Sequence, residues 1–315
     1  MNTKFKKTRR RVIRVLALIF IIMNIIAWFH SYKFTHFSNN LSTKIKPEKL
    51  TVTQKAGIIL FGINNPRPVT AQLPSQPFKN IRLKSNKIIE CWSISTKNAK
   101  GTVALFHGYG GNKSQMIDRS NVFLKLGYNT LLVDFMGSGG SEGNQTTIGF
   151  FEAEEVKTAF DYLKAQGEKN IYLFCTSMGA AAILKAVNDY PVNPKAIITE
   201  CPFGTMYKTV CARFKIMRVP AFPMAGLLVF WGGVQNGFWA FSHNPQEYAK
   251  GVHCPTLLLY GEKDNRVSRE ETDTIYKNLS CKKQLRTYPE AGHENYLKKD
   301  KDKWTADVTQ FLGLY

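Results

Sequence analysis

Ser177 lies in Cys175-Thr176-Ser177-Met178-Gly179, between the apolar run NIYLF and the small-residue run Ala180 to Ala182. A serine at a turn from strand directly into helix projects above its sheet, where a base can take its proton and make it a nucleophile. The pattern for such a turn is G-x-S-x-G; Gly179 keeps the second glycine and Cys175 replaces the first. Cysteine is small enough to stand there as a spacer, and its place before the turn aims it into the sheet. The plainer alternative is that Ser177 caps a helix, a position serine favours. Other stretches argue for the chemistry. His293, in YPEAGHENY, supplies an imidazole base, and Asp264, in YGEKD, an acid to hold its tautomer and stabilise its charged form. Glu200, at the end of KAIITE, is a second acid from which that histidine could be reached. The backbone N–H groups of Met178 and of Tyr109, in HGYGG, are the expected oxyanion donors. His107 and Gly108 shape that glycine-rich loop, and Asp134, in DFMGSGGSEG, reads as a structural hydrogen-bonding residue.

The elements that must position these residues are legible as an alternation. TVALFHG, YNTLLVDF, NIYLFCT, KAIITEC and PTLLLYG are short aliphatic runs of the kind found in strands buried on both faces. Helical patterns separate them at 113–126, 150–166, 178–188 and 269–278, and a closing helix at 301–312 follows a last strand, QLRTYP. NIRLKS and KIIECWSIS read as a hairpin ahead of the alternation. The expected class is α/β, a mostly parallel sheet with helices on both faces. Ligands of such sheets bind beyond the carboxyl ends of the strands. His107, Asp134, Ser177 and Asp264 all fall at those ends, with His293 on the loop after the last strand.

Taken in order, the motifs resemble the alpha/beta-hydrolase superfamily, specifically the serine hydrolases grouped with monoglyceride lipases and serine aminopeptidases. The likeness runs from about Ile81 to the C-terminus. The H-G-x-G-G loop matches His107 to Gly111, the elbow matches Cys175 to Gly179, P-T-L-L-L-Y-G-E-K-D matches Pro255 to Asp264, and A-G-H matches Ala291 to His293. The resemblance implies an alpha/beta-hydrolase fold, a triad in the chain order Ser177, Asp264, His293, and no cofactor. In the D-x-R-G-x-G-x-S loop, Asp134, Gly137, Gly139 and Ser141 stand, but Met136 replaces the arginine, so that loop lacks its usual cation.

Ahead of this region the chain is different. Its formal net charge is +20, and Lys4, Lys6, Lys7, Arg9, Arg10, Arg11 and Arg14 precede the first acid, Glu48. VLALIFIIMNIIAWF follows, and counted from Val12 the apolar stretch rises about 27 Å as a helix, near the thickness of a bilayer core. Trp28, Phe29 and Tyr32 sit where an interfacial aromatic belt belongs. The reading is a basic cytoplasmic head at 1–11, a transmembrane anchor at 12–32, a connector at 33–77, and a hydrolase domain at 78–315. The rest of the chain then lies across the membrane, on the periplasmic face of the inner membrane if the source is bacterial. A cleaved signal peptide is the alternative, although no small-x-small cleavage site follows the run. Six cysteines show no metal spacing, and His30, His36, His243 and His253 show none either, so no metal is expected. The positive charge is not arranged as a basic stripe interleaved with aromatics, which argues against nucleic acid and for a domain held near anionic lipid.

About fifty residues separate KAIITECPF from HCPTLLLYG, far more than a minimal connection needs. In relatives a cap occupies this place, expected here at about 204–250. Its run FPMAGLLVFWGGVQNGFWAF, from Phe222 to Phe241, suits an acyl-chain pocket or contact with lipid, and equally a cap packed on itself. Glycines break it too often for a second span. The expected activity is hydrolysis of carboxylic esters, with lipid or small acyl esters as substrates. A peptidase acting on short peptides, or a non-catalytic envelope protein on the same fold, are the alternatives.

Overall fold

The computed structural model describes residues 3–39 and 51–315, so the part of the expected connector at 40–50 lies outside the described residues. Eight strands form one sheet: β1 Lys79–Lys84, β2 Ile88–Ile94, β3 Thr102–Phe106, β4 Asn129–Val133, β5 Ile171–Thr176, β6 Ala196–Glu200, β7 Thr256–Gly261 and β8 Lys283–Tyr288. Their spatial order is β8-β7-β6-β5-β3-β4-β2-β1. The six from β3 to β8 pair in parallel, and the β1–β2 hairpin joins antiparallel through β2 against β4. The chain leaves β3 toward β4 and returns to β5 on its other side. The order therefore reverses at β3, which puts the favoured ligand crevice between the carboxyl ends of β3 and β5.

Strands β3, β5, β6 and β7 are buried almost throughout because both faces are covered. Leu173 and Val133 face one apolar layer, and Phe174 and Leu132 face the other, the alternation a strand imposes. The helices have the amphipathic character that such layers need. The first described is α1, Thr3–Thr35, followed by α2, Val52–Phe61. Within the domain come α3 Ile117–Lys125, α4 Glu152–Ala165, α5 Met178–Asp189, α6 Met206–Met217, α7 Met224–Asn236, α8 Arg269–Asn278 and α9 Lys301–Leu312. Helices α6 and α7 lie in the long insertion between β6 and β7, where a cap is expected.

Helix α1 is long and apolar enough to cross a membrane by length and composition. It runs on past its apolar stretch, and its last turns pack on α7. Trp28 meets Trp231 edge to face at 5.0 Å, the Trp231 Nε1–H donates to Asn24 Oδ1 at 3.0 Å, and Asn236 Nδ2 donates to Thr35 Oγ1 at 3.1 Å. The AGIILFGI stretch forms most of α2, started by a Thr51–Gln54 capping box and packed on α1 through Phe61 and Phe29, ring centroids 5.2 Å apart. The proline-rich segment after it is no free linker. Val69 O accepts from Asn112 Nδ2 at 2.9 Å, Gln76 donates to Asn121 Oδ1 at 3.0 Å, and Ala71, Gln72 and Leu73 line the main cavity.

Candidate active site

Ser177 occupies an abrupt turn between β5 and α5 with φ +48°, a backbone conformation that costs energy for any residue with a Cβ. The turn is held from outside: the Ser177 N–H donates to Glu200 O at 2.8 Å. It is possible only because a neighbour is glycine. A Cβ on Gly179 would come within 2.9 Å of both the His107 and Phe106 carbonyl oxygens, so α5 can approach β3 only there. Cys175, two residues earlier, is wholly buried on β5, and burial pushes its thiol far above the ordinary range. It is a filler of the sheet, as the expected spacer role requires.

The structure brings the three side chains from separate segments together. His293 Nε2 lies 2.9 Å from Ser177 Oγ, and His293 Nδ1 lies 2.8 Å from Asp264 Oδ2. The other carboxylate oxygen accepts the N–H groups of Arg266 at 2.7 Å and Val267 at 2.9 Å, which fixes the acid's orientation. Since Asp264 accepts a hydrogen bond from Nδ1–H and so keeps the proton on that nitrogen, Nε2 is free to accept from the serine. Glu200, the other candidate acid, is committed elsewhere. Its oxygens pair with Arg119 at 2.6 Å and Trp304 Nε1 at 2.7 Å in the buried interior. The sequence offered no signal for that pair, which joins residues 81 positions apart.

The N–H of Met178 is the first of α5 and so has no carbonyl within its own helix. That of Tyr109 donates, among the described residues, to no other group of the chain. Both are thus available at the carboxyl ends of β5 and β3. The His107 ring is hydrogen-bonded at both nitrogens: Nε2 accepts the Phe135 N–H at 3.1 Å, so the proton is on Nδ1, which donates to Gly108 O at 2.8 Å. Burial lowers its pKa, in keeping with a neutral structural ring. Gly108 lies against Thr176, where a Cβ would sit 3.3 Å from the Thr176 hydroxyl.

Asp134 is wholly buried and accepts from Lys113 N at 2.6 Å and Gly140 N at 2.9 Å. Its counter-charge is the ammonium of Lys113, which also reaches Glu90 Oε1 at 2.7 Å. Arg67 donates to the carbonyls of Gly139, Ser141 and Gly143 in the same loop. A lysine and an arginine from other segments thus supply the cations that Met136 cannot.

Two neighbours were missed from the sequence. The Cys201 sulfur lies 4.0 Å from His293 Nε2, and the ligand atoms of Cys201, Asp264 and His293 fall within 4.8 Å of one another. The imidazole nitrogens of that group already face Ser177 and Asp264, so its geometry is that of a hydrogen-bonded relay with a thiol beside it. Burial pulls the His293 pKa down, but the Cys201 sulfur and the Asp264 carboxylate outweigh it and hold it above the ordinary 6.5. The second neighbour is the end of α1. The Tyr109 hydroxyl donates to Phe34 O at 2.7 Å, and the two rings stack with centroids 4.5 Å apart.

Ser177, His293, Tyr109, Phe203 and Arg213 line a cavity of about 820 Å³. A smaller cavity of about 150 Å³ lies behind it, almost entirely apolar, walled by Phe34, Ile148, Val210, Leu228 and Phe238. Arg213 and Thr209 of α6 line both.

Comparison with known proteins agrees with this architecture. The family model described as serine aminopeptidase, S33, matches residues 97–250. An uncharacterized Bacillus subtilis protein, YqkD, is 23% identical over 228 residues, covering 71% of this chain and 75% of its own. A Bacillus subtilis carboxylesterase is 22% identical, covering 72% of this chain and 98% of its own. Among solved structures, a Pyrococcus furiosus esterase superposes with a TM-score of 0.68 at 24% identity, over 80% of this chain and 98% of its own.

Proposed function

We propose that the chain, which shares the alpha/beta-hydrolase fold and matches the serine aminopeptidase, S33, model over residues 97–250, is a membrane-anchored serine hydrolase that cleaves carboxylic esters through Ser177, His293 and Asp264. The observation that carries this reading is the unbroken relay from the Asp264 carboxylate through both imidazole nitrogens to the Ser177 hydroxyl, 2.8 and 2.9 Å, opening onto a large cavity. His293 Nε2 takes the serine proton as Oγ bonds to the ester carbonyl carbon. The carbonyl oxygen, now negative, receives the N–H groups of Met178 and Tyr109. The imidazolium gives its proton to the leaving alcohol, and the acyl group stays on Ser177. Water then repeats the cycle, losing a proton to His293 as it attacks, and frees the acid.

Ester cleavage is favoured over an aminopeptidase activity by charge. Holding a substrate amine needs an acid, and no Asp or Glu occurs from Gly204 to Gln246. An apolar acyl group suits the small cavity and the cap, which exposes Phe222, Trp239 and Met217. Residues 1–11 would be the cytoplasmic head and 12–32 the span, followed by a connector to about 77, with the catalytic domain from 78 on the far side and its cap near 204–250. Retention of the helix, rather than cleavage as a signal, is supported by the polar contacts of Asn24, Ser31 and Thr35 with α7, which removal would leave open.

A fluorophosphonate probe tests the assignment. The wild-type chain is labelled covalently and Ser177→Ala is not; equal labelling of both would end it. A pH profile is the second check. Only neutral His293 can act as base, so kcat/KM falls as pH drops through its pKa, and that limb lies above pH 6.5. A limb at or below pH 6.5 would show that the Asp264 carboxylate does not hold the imidazole as its 2.8 Å contact implies.

A further inference from the structure

We propose that Arg213 and Arg266 form an anion site in the active cavity, and that the ester hydrolysed carries a phosphate or carboxylate group beside the scissile bond. This deepens the hydrolase reading and rests on it.

The case begins with Arg213. Its guanidinium, on α6, is partly buried at the wall shared by the two cavities. It lies 4.5 Å over the Phe34 ring and 5.8 Å from the Tyr109 ring, and among the described residues it makes no ion pair. Burial lowers its pKa, Tyr109 raises it, and Arg266 lowers it further, with no acid among its electrostatic neighbours. Cations withdrawn from water in this way are ordinarily paired. Two aromatic faces compensate only part of the lost hydration. A second cation lining the same cavity, Arg266, makes the cost larger and not smaller.

The rest of the cavity points the same way. Arg266 is exposed at its mouth and Lys298 lines it too, and neither makes an ion pair among the described residues. The acids that share the lining are taken: Asp118 pairs with Arg119 at 3.2 Å and accepts from Asn295 at 2.6 Å, and Glu294 lies 3.8 Å from Lys299. The pocket is therefore a cationic well with the Ser177 hydroxyl in its wall. Arginine forks match the oxygens of phosphate and carboxylate, and a like-charged pair becomes favourable once an anion bridges it. Arg213 packs on Tyr109, whose N–H is the expected oxyanion donor, so an anion held there adjoins the reacting carbonyl.

The test uses ether analogues that cannot be hydrolysed, so that it stands whether or not Ser177 is a nucleophile. Binding of 1-O-octylglycerol and 1-O-octylglycerol 3-phosphate to the full chain in neutral detergent is measured by titration calorimetry. The phosphate compound is expected to bind at least about tenfold more tightly, and Arg266→Gln and Arg213→Gln each to remove about tenfold of that preference. Arg213→Lys keeps part of it. Glycerol 3-phosphate, run alongside, distinguishes the sources. Preserved binding without the tail identifies a soluble phosphate ester, and binding only with the tail identifies a lipid head. Equal affinity for the neutral and phosphate analogues would overturn the site, as would a preference unaffected by both glutamine variants. Arg266 is exposed, so its variant reports binding even where Arg213→Gln disturbs packing. Failure of the probe to label Ser177 would instead overturn the hydrolase reading.

Discussion

Asp264→Asn leaves the chain folded and lowers kcat by about 10⁴. The Asp264 Oδ1 acceptor for the Arg266 and Val267 amides is preserved by the amide oxygen, so the loop keeps its anchor. What changes is the atom facing His293. An amide NH₂ donates where the carboxylate accepted, which forces the imidazole into the tautomer with its proton on Nε2. That nitrogen, 2.9 Å from the serine, then holds a proton and cannot take another. Glu200→Gln is the control, since Glu200 is the other acid at a neighbouring strand end. Its carboxylate neutralises the buried Arg119, and removing one charge of such a pair costs about 3–5 kcal/mol of stability. Among the described residues its side chain bonds only Arg119 and Trp304, and the backbone carbonyl that receives the Ser177 N–H is kept in the variant. Steady-state kinetics and thermal unfolding on both variants therefore separate cleanly: lost turnover with retained stability for Asp264→Asn, the reverse for Glu200→Gln. Equal catalytic losses would mean that the acid has been assigned wrongly.

That contrast also marks where sequence reasoning runs out. The strands could be read because burial on both faces leaves aliphatic runs, and β3, β5, β6 and β7 are such runs. The side chains at their ends could be singled out because a parallel sheet gathers its carboxyl ends on one rim. Which acid faces the histidine was open, because the answer lies in Arg119, which claims Glu200 from a distant helix. The cap helices were not read as helices at all. Gly232 and Gly233 lower the helix propensity of α7, yet Gly233 is there for packing: a Cβ would come within 2.5 Å of the Phe238 carbonyl. The closing of α1 on the glycine loop, Phe34 on Tyr109, spans 75 positions and left no periodic trace. In the loop after β4, Met136 was a departure visible in the sequence, and it pointed to a missing cation without naming the substitute.

Lys113→Met tests that substitute, with an expected loss of about 3–5 kcal/mol, because it strands two acids and not one. Lys113 is fully buried, its ammonium between the Asp134 and Glu90 carboxylates and 4.5 Å over the Trp92 ring. Methionine fills a similar volume, so packing changes little and the charge is what is removed. Asp134 keeps its two amide donors but loses the cation it contacts directly, and it is wholly buried. For a domain of this size the loss corresponds to a fall in Tm of about 10 °C. Acid should narrow the difference. Burial raises the Glu90 pKa, but Lys113 and its other donors outweigh that and hold it below the ordinary 4.5. A depressed carboxylate contributes stability above its unfolded value and loses it as pH falls through the folded one. The wild-type advantage over Lys113→Met therefore shrinks below pH 4.5, where protonation removes the charge that Lys113 neutralises. In a cycle with Asp134→Asn, the double variant costs less than the two single losses together, because each exposes the other's unpaired charge. Additive losses, or a gap between the two proteins that does not change with pH, would show that the lysine fills space in that loop and carries no charge for it.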